Sequence, residues 1–269
     1  MRDLRLAIRV LCAAPLVSLA AIVSLTVGIG ANTAVFSVVN AILLRPAPYP
    51  EPDRLVLLGY TFSGAAVSLV SETKLNVWRE QTTAWQDIAA LRVRNVNVND
   101  GAHAQQVGAL QTNTDFFHVF GVRAALGRTF TPAEDQPGGD RVVLLSDGFW
   151  KRRFGSDRRI VGTQLHVDGA NATIVGVLDD SVDTSIFNVV PDVWIPLQLQ
   201  SSSTSHGPSL IAAGRLRPGM SIAVAQAQAR LAGDAFRRRY PEVIGPSDTF
   251  TVAPFQEALV RRAGPRCSC

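Results

Sequence analysis

From Val10 to Leu44 the chain carries no charged residue, a run of 35 positions bounded by Arg9 and Arg45. About 20 mostly apolar residues are enough to cross a bilayer as a helix. In the window Leu11–Ile29 only Ser18, Ser24 and Thr26 are polar. A continuous helix over the run would measure about 52 Å at 1.5 Å per residue. That exceeds a hydrocarbon core of about 30 Å, so one end must project into water. The cluster Asn32, Thr33, Ser37 and Asn40 marks the C-terminal end as the one that does. A cleaved secretory signal has an apolar core of about 7–15 residues, so the length predicts a retained transmembrane helix over residues 14–45.

The flanks orient this helix. Arg2, Arg5 and Arg9 stand before it against Asp3, whereas Arg45, Glu51, Asp53 and Arg54 after it balance. The positive-inside rule then puts the N-terminus in the cytoplasm and everything beyond about residue 45 outside the membrane. Leu4, Ala7, Ile8 and Leu11 fall on one helical face, which predicts an interfacial amphipathic helix over residues 1–13. Ala20, Ser24 and Gly28 recur at intervals of four, and Gly30 and Ala34 repeat the interval. Small residues in such rows allow close helix–helix approach in lipid, so these five are the candidate helix-packing residues.

The rest of the chain reads as a folded α+β domain. Apolar residues make up 47% and charged residues 18%, which excludes a disordered chain. A proline linker at Pro46, Pro48, Pro50 and Pro52 ends the first helix. Strand Arg54–Tyr60, helix Ser71–Gln81 capped by Ser71, and strand Ile88–Asn99 make one β-α-β unit. Strand Leu210–Leu216, helix Ser221–Tyr240 and strand Asp248–Pro254 make a second. The helix of the second unit should bury Ala225, Ala229, Ala232 and Phe236.

Turn-rich sequence lies between the two units. A short helix with Phe116, Phe117 and Phe120 is expected after a Thr114 cap and before Gly121. A strand at Arg141–Leu145 precedes a helix capped by Ser146, with Trp150 and Phe154 as its apolar face. Asp168-Gly169 joins a hairpin of Gln164–Val167 and Thr173–Leu178. Asp192–Leu197 is extended. The pattern predicts two β-α-β units flanking a β-rich insertion. The lower subdomain is expected at about residues 54–100 and 208–256, and the upper one at about 101–207.

Several chemistries are absent from the sequence. Cys12, Cys267 and Cys269 form no C-x-x-C pair, and His103, His118, His166 and His206 lie in no local metal motif. No P-loop and no nucleophile elbow occur. Asp179-Asp180 reads as a solvated turn, and Lys151-Arg-Arg153 as a solvated helix face. The net charge of +4 is scattered in short clusters, which does not suit a nucleic-acid stripe. Neither a catalytic site nor a cofactor or metal site is expected.

A string of motifs resembles a known family. Gly28-Ile-Gly-Ala-Asn-Thr-Ala-Val-Phe-Ser-Val-Val-Asn40 with Leu43-Leu-Arg-Pro46 is similar to the first span of MacB-like ABC transporter permeases, the duplicated acidobacterial type in particular. Trp78-Arg-Glu-Gln81, Phe116-Phe117, Gly121-Val-Arg123, Leu126-Gly-Arg128, Phe130-Thr-Pro132, Arg152-Arg-Phe-Gly155, Ile174-Val-Gly-Val177 and Arg217-Pro-Gly219 continue it. The resemblance spans roughly residues 1–258 and implies a MacB-like periplasmic core domain over residues 46–256. It also implies a cell inner-membrane protein that works with a separate ABC ATPase, as a homodimer or paired permease, to couple ATP-driven movement to extracytoplasmic export or release.

Family members continue into three more FtsX-like spans after a stretch matching Glu257–Val260. This chain instead reads Arg261-Arg-Ala-Gly-Pro-Arg-Cys-Ser-Cys269. Residues 257–269 are therefore expected to be an aberrant tail on a truncated permease, with residues 261–269 read out of frame. The alternatives are a single-span membrane-anchored binding or sensor module and a non-functional fragment.

Overall fold

The structure is a computed structural model that describes residues 16, 20, 23–30, 32–33, 49–99, 103–180, 184, 189–200 and 202–258. The chain divides into two units, Met1–Pro46 and Ala47–Cys269. In the first, residues 23–30, with Leu16, Ala20, Asn32 and Thr33, are helical and exposed. Among the described residues no helix is long and apolar enough to cross a membrane. The expected amphipathic helix over 1–13, most of the expected span over 14–45 and the tail from 259 onward lie outside the described residues.

The second unit opens with β1 (Leu55–Phe62), which turns back at Ser63 and Gly64, both at positive φ, into β2 (Ala65–Val67). After β3 (Leu69–Val70) comes α1 (Glu72–Gln81), whose Lys74 amide donates to Ser71 Oγ as the sequence leads one to expect. Next is β4 (Trp85–Asn99), three residues longer at its start than its alternating pattern suggests. Towards the C-terminus, β11 (Leu210–Leu216), α4 (Ile222–Arg239) and β12 (Phe250–Pro254) form the second strand–helix–strand unit.

The two units interleave. The strands run in the order β12-β1-β11-β4, each antiparallel to its neighbour. Each unit's two strands are thus separated by a strand of the other, a split β-α-β arrangement. The helices α1 and α4 lie against one face of this sheet. There Trp78 stacks on Phe250 with ring centroids 5.1 Å apart, and Val56, Leu58, Trp85 and Phe236 fill the same core. The opposite face is covered by α2 (Asp115–Phe120), Tyr49 and Phe255, which pack on Leu55, Leu57, Ala89 and Leu91. Because both faces are covered, β1 is apolar at successive positions rather than at alternate ones.

The middle of the chain supplies β5 (Ala104–Thr112), β6 (Ala124–Gly127), β7 (Val142–Leu145), α3 (Asp147–Phe154), β8 (Gln164–Val167), β9 (Ala170–Leu178) and β10 (Val193–Pro196). Six strands close on themselves in the cycle β4-β5-β10-β7-β9-β8, and β8 returns to β4 through Val98↔Val167. Closure leaves the ring no open edge. Its interior holds Val96, Val107, Val143, Leu165, Ile174 and Val193, with Phe149 of α3 packed against them. Strand β4 belongs to both the split sheet and the ring.

Two local expectations change. Thr114 does not cap α2. Its own backbone is helical and its amide N–H is taken by Asp135 Oδ2 at 3.1 Å, so a distant carboxylate satisfies the helix start. On α3 the fully buried side chain is Phe149, while Trp150 and Phe154 are only half-buried at the margin of the ring's core. The turns are as expected: Asp168 (φ 49°) and Gly169 (φ 79°) form the β8–β9 hairpin, and Gly121 (φ 67°) ends α2. A Cβ at Gly121 would overlap the ring of Pro50.

Candidate functional site

A polar concavity lies between α1, the start of α2 and the loop at 134–136. It is a cleft of about 270 Å³ lined by Asn76, Arg79 and Glu80 from α1 with Asn113, Asp135 and Gln136. Helical spacing puts Asn76, Arg79 and Glu80 on one face of α1. Asn113 is buried and its carboxamide bonds along β4, with Oδ1 accepting from Ala90 N and Nδ2 donating to Ile88 O, each at 2.8 Å. The same Nδ2 reaches Asp115 Oδ2 at 3.3 Å. Asp135 is held by amide donors from Thr114 and Gln198. Burial nonetheless raises its carboxyl above the usual range, against the opposing pull of those bonds and of Arg79. Asp115 is raised for the same reason, with Asp87 adding to the effect and Arg79 opposing it. Next to them Glu134 is salt-bridged to Arg128 at 2.6 Å; burial opposes its charge, but the bonds from Arg128 and Thr131 hold its carboxyl low.

Beside this cleft, Asp87 of β4 meets Asp115 and His118 of α2. One ligand-type atom from each lies within 4.8 Å of the others. Sequence reasoning missed this group because Asp87 is 28 positions from Asp115. The available signal was the i, i+3 spacing of Asp115 and His118, which places two donors on one helical face.

A second cavity, about 260 Å³, opens at one mouth of the ring. Each of the six strands contributes to it: Arg94, Gln111, Ile195, Val142, Ala172 and Val167. Arg94 is paired there with Asp168 at 2.6 Å, and Asp168 Oδ1 also accepts from Asn97 N, so the β8–β9 hairpin tip is tied to β4.

Of the candidate membrane-packing residues, Ala20, Ser24, Gly28 and Gly30 are helical and exposed, and open space surrounds a Cβ placed at either glycine. Ala34 lies outside the described residues. The basic triplet of α3 is surface: Lys151 pairs with Asp147, Arg152 with Asp192, and Arg153 donates to His103 O. Asp179 and Asp180 follow β9 in a loop, with the Asp179 amide bonded to Arg123 O.

No curated protein matches the sequence. Solved structures do. A domain assigned to a permease protein from Porphyromonas gingivalis aligns with TM-score 0.61 at 17% identity, covering 77% of this chain and 91% of that one. The periplasmic region of MacB from Actinobacillus actinomycetemcomitans aligns with TM-score 0.58 at 11% identity, covering 84% and 99%. The extracellular domain of the noncanonic ABC-type transporter YknZ from Gram-positive bacteria gives 0.53 at 14%, covering 74% and 99%. At these identities the likeness is one of fold. The sequence itself matches the MacB-like periplasmic core domain over residues 18–232. The chain therefore belongs to the MacB-like periplasmic core domain family.

Proposed function

We propose that this chain is a permease-type subunit of an ABC transporter whose outer domain carries ATP-driven movement, generated by a separate ATPase, to an extracytoplasmic export or release step. Membership in the family over residues 18–232 carries this reading. The architecture suits mechanical transmission. Strand β4 pairs with β11 in the split sheet and continues, without a break, into the ring through β5 and β8. A displacement at the base of β4 is therefore passed to the ring by a hydrogen-bonded strand rather than by a loop.

The anchor in this reading is the uncharged run, inserted with the N-terminus in the cytoplasm of an inner-membrane protein. The row Ala20, Ser24, Gly28, Gly30 and Ala34 packs on a neighbouring permease helix, from a second copy or a paired permease. Two measurements test it. Alkaline phosphatase fused after Gln200 is expected to be active; activity of a cytoplasmic reporter at that position instead would overturn the topology. The full chain purified from native membranes is expected to bring with it a P-loop ATPase in fixed ratio. A chain isolated without any ATPase would favour the single-span binding or sensor module.

A further inference from the structure

We propose that Asp87, Asp115 and His118 form a binding site for a divalent transition-metal ion at the junction of β4 and α2. Two carboxylates and one imidazole are a donor set suited to Mn²⁺, Fe²⁺ or Zn²⁺, with water completing the coordination.

The fold brings the three donors together by two independent routes. Strand alternation turns Asp87 to the same face as Ala89 and Leu91, the face that α2 covers. The i, i+3 spacing sets Asp115 and His118 on one side of α2. Their ligand-type atoms already lie within 4.8 Å of one another. A metal bound at about 2.0–2.2 Å would draw them to about 3–3.5 Å. The exposed His118 side chain can supply that movement, since its rotation disturbs no core contact.

The rest of the environment fits a ligand role. Asp115 is oriented by the Asn113 amide, itself locked on Ile88 and Ala90, which is the outer-sphere support that ligating carboxylates usually have. The side chains of Asp87 and His118 make no hydrogen bond or ion pair among the described residues. Two cations are close. Arg79 is exposed and acts on Asp115, and Arg215 acts on Asp87 but spends its own donors on Pro50 O, Val119 O and Glu51. The ion must therefore displace the influence of Arg79 but not a formed salt bridge.

The test is titration of the detergent-purified full chain with Mn²⁺, followed by loss of the free Mn²⁺ electron paramagnetic resonance signal. Mn²⁺ is chosen because it prefers oxygen and imidazole donors over the thiols of Cys12, Cys267 and Cys269. One ion per chain is expected, displaced by Zn²⁺. His118→Ala, at an exposed position, and Asp87→Asn should each weaken binding by at least about tenfold, with the metal-free melting temperature unchanged for His118→Ala. Failure of the full chain to bind Mn²⁺ at millimolar concentration would overturn the proposal. So would undiminished binding by both variants. The readout does not involve transport, so it stands or falls separately from the permease reading.

Discussion

Lys74 sits in the first turn of α1 with 2% of its surface exposed and no acidic partner among the described contacts of its side chain. Its ammonium instead lies 4.3 Å from the ring centroid of Tyr60 and 5.1 Å from that of Phe236. Such cation–π contacts recover part of the lost hydration, but burial still pulls the amine down from 10.5 to about 8. Between about pH 8 and 10.5 the unfolded chain holds the proton and the folded one has released it, so stability rises with pH across that window; below it the full cost of the buried charge remains. Lys74→Met keeps the volume and removes the charge. It should raise the unfolding free energy by about 1–3 kcal/mol at pH 7 and flatten the rise above pH 8. Chemical denaturation at pH 7 and pH 9.5 checks both, and a loss of stability in the variant would show that the aromatic contacts outweigh desolvation. The helical pattern of Leu75 and Trp78 locates the inner face of α1, yet only packing reveals that a lysine shares the space beneath it.

Among the elements, α4 was the most legible. Its Ser221 cap and the row Ala225, Ala229, Ala232 and Phe236 are set by local spacing alone, and all four side chains have no exposed surface. Ala229→Glu would force a carboxylate into that interface without a partner, at an expected cost of about 2 kcal/mol or more. Thermal unfolding measures it; an unchanged midpoint would mean that the face yields without penalty. The polar side of the same helix holds a device that sequence did not disclose. Gln226 donates to Phe250 O and accepts from Val252 N, which occupies hydrogen-bonding groups on the outer edge of β12. An edge strand covered in this way is closed to pairing with another chain. A glutamine on a helix reads as solvated until its strand is known. The Thr114 cap failed for a related reason: whether a side chain or a distant carboxylate satisfies a helix start depends on what folds next to it.

On the scale of the whole molecule, β4 joins three apolar clusters. Ile88 and Ala90 lie in the core under α1 and α4, Ala89 and Leu91 in the core under α2, and Val96 and Val98 inside the ring. A polypeptide of residues 47–258 should therefore unfold in one transition, with fluorescence and far-ultraviolet circular dichroism melting together. Separate transitions would mean that the ring and the split sheet are independent, and would weaken β4 as a mechanical link.

Local spacing was enough to read the uncharged run, the two strand–helix–strand units, the inner face of α4, the helix caps at Ser71 and Ser146, the start of α4 at Ser221 and the Asp168-Gly169 turn. Each follows from residues within a few positions of one another, through side-chain periodicity, a cap bond or a positive φ. Which strands and side chains meet was settled by packing across the chain. The interleaving of the two units, the parallel pairs β5–β10 and β7–β9, the closure of β8 on β4, and the approach of Asp87 to the locally spaced pair Asp115 and His118 left no mark on local spacing. Every strand edge presents the same amide and carbonyl groups, so local sequence makes a strand and its buried face without naming the strand beside it. That choice is made by which apolar faces can be covered together.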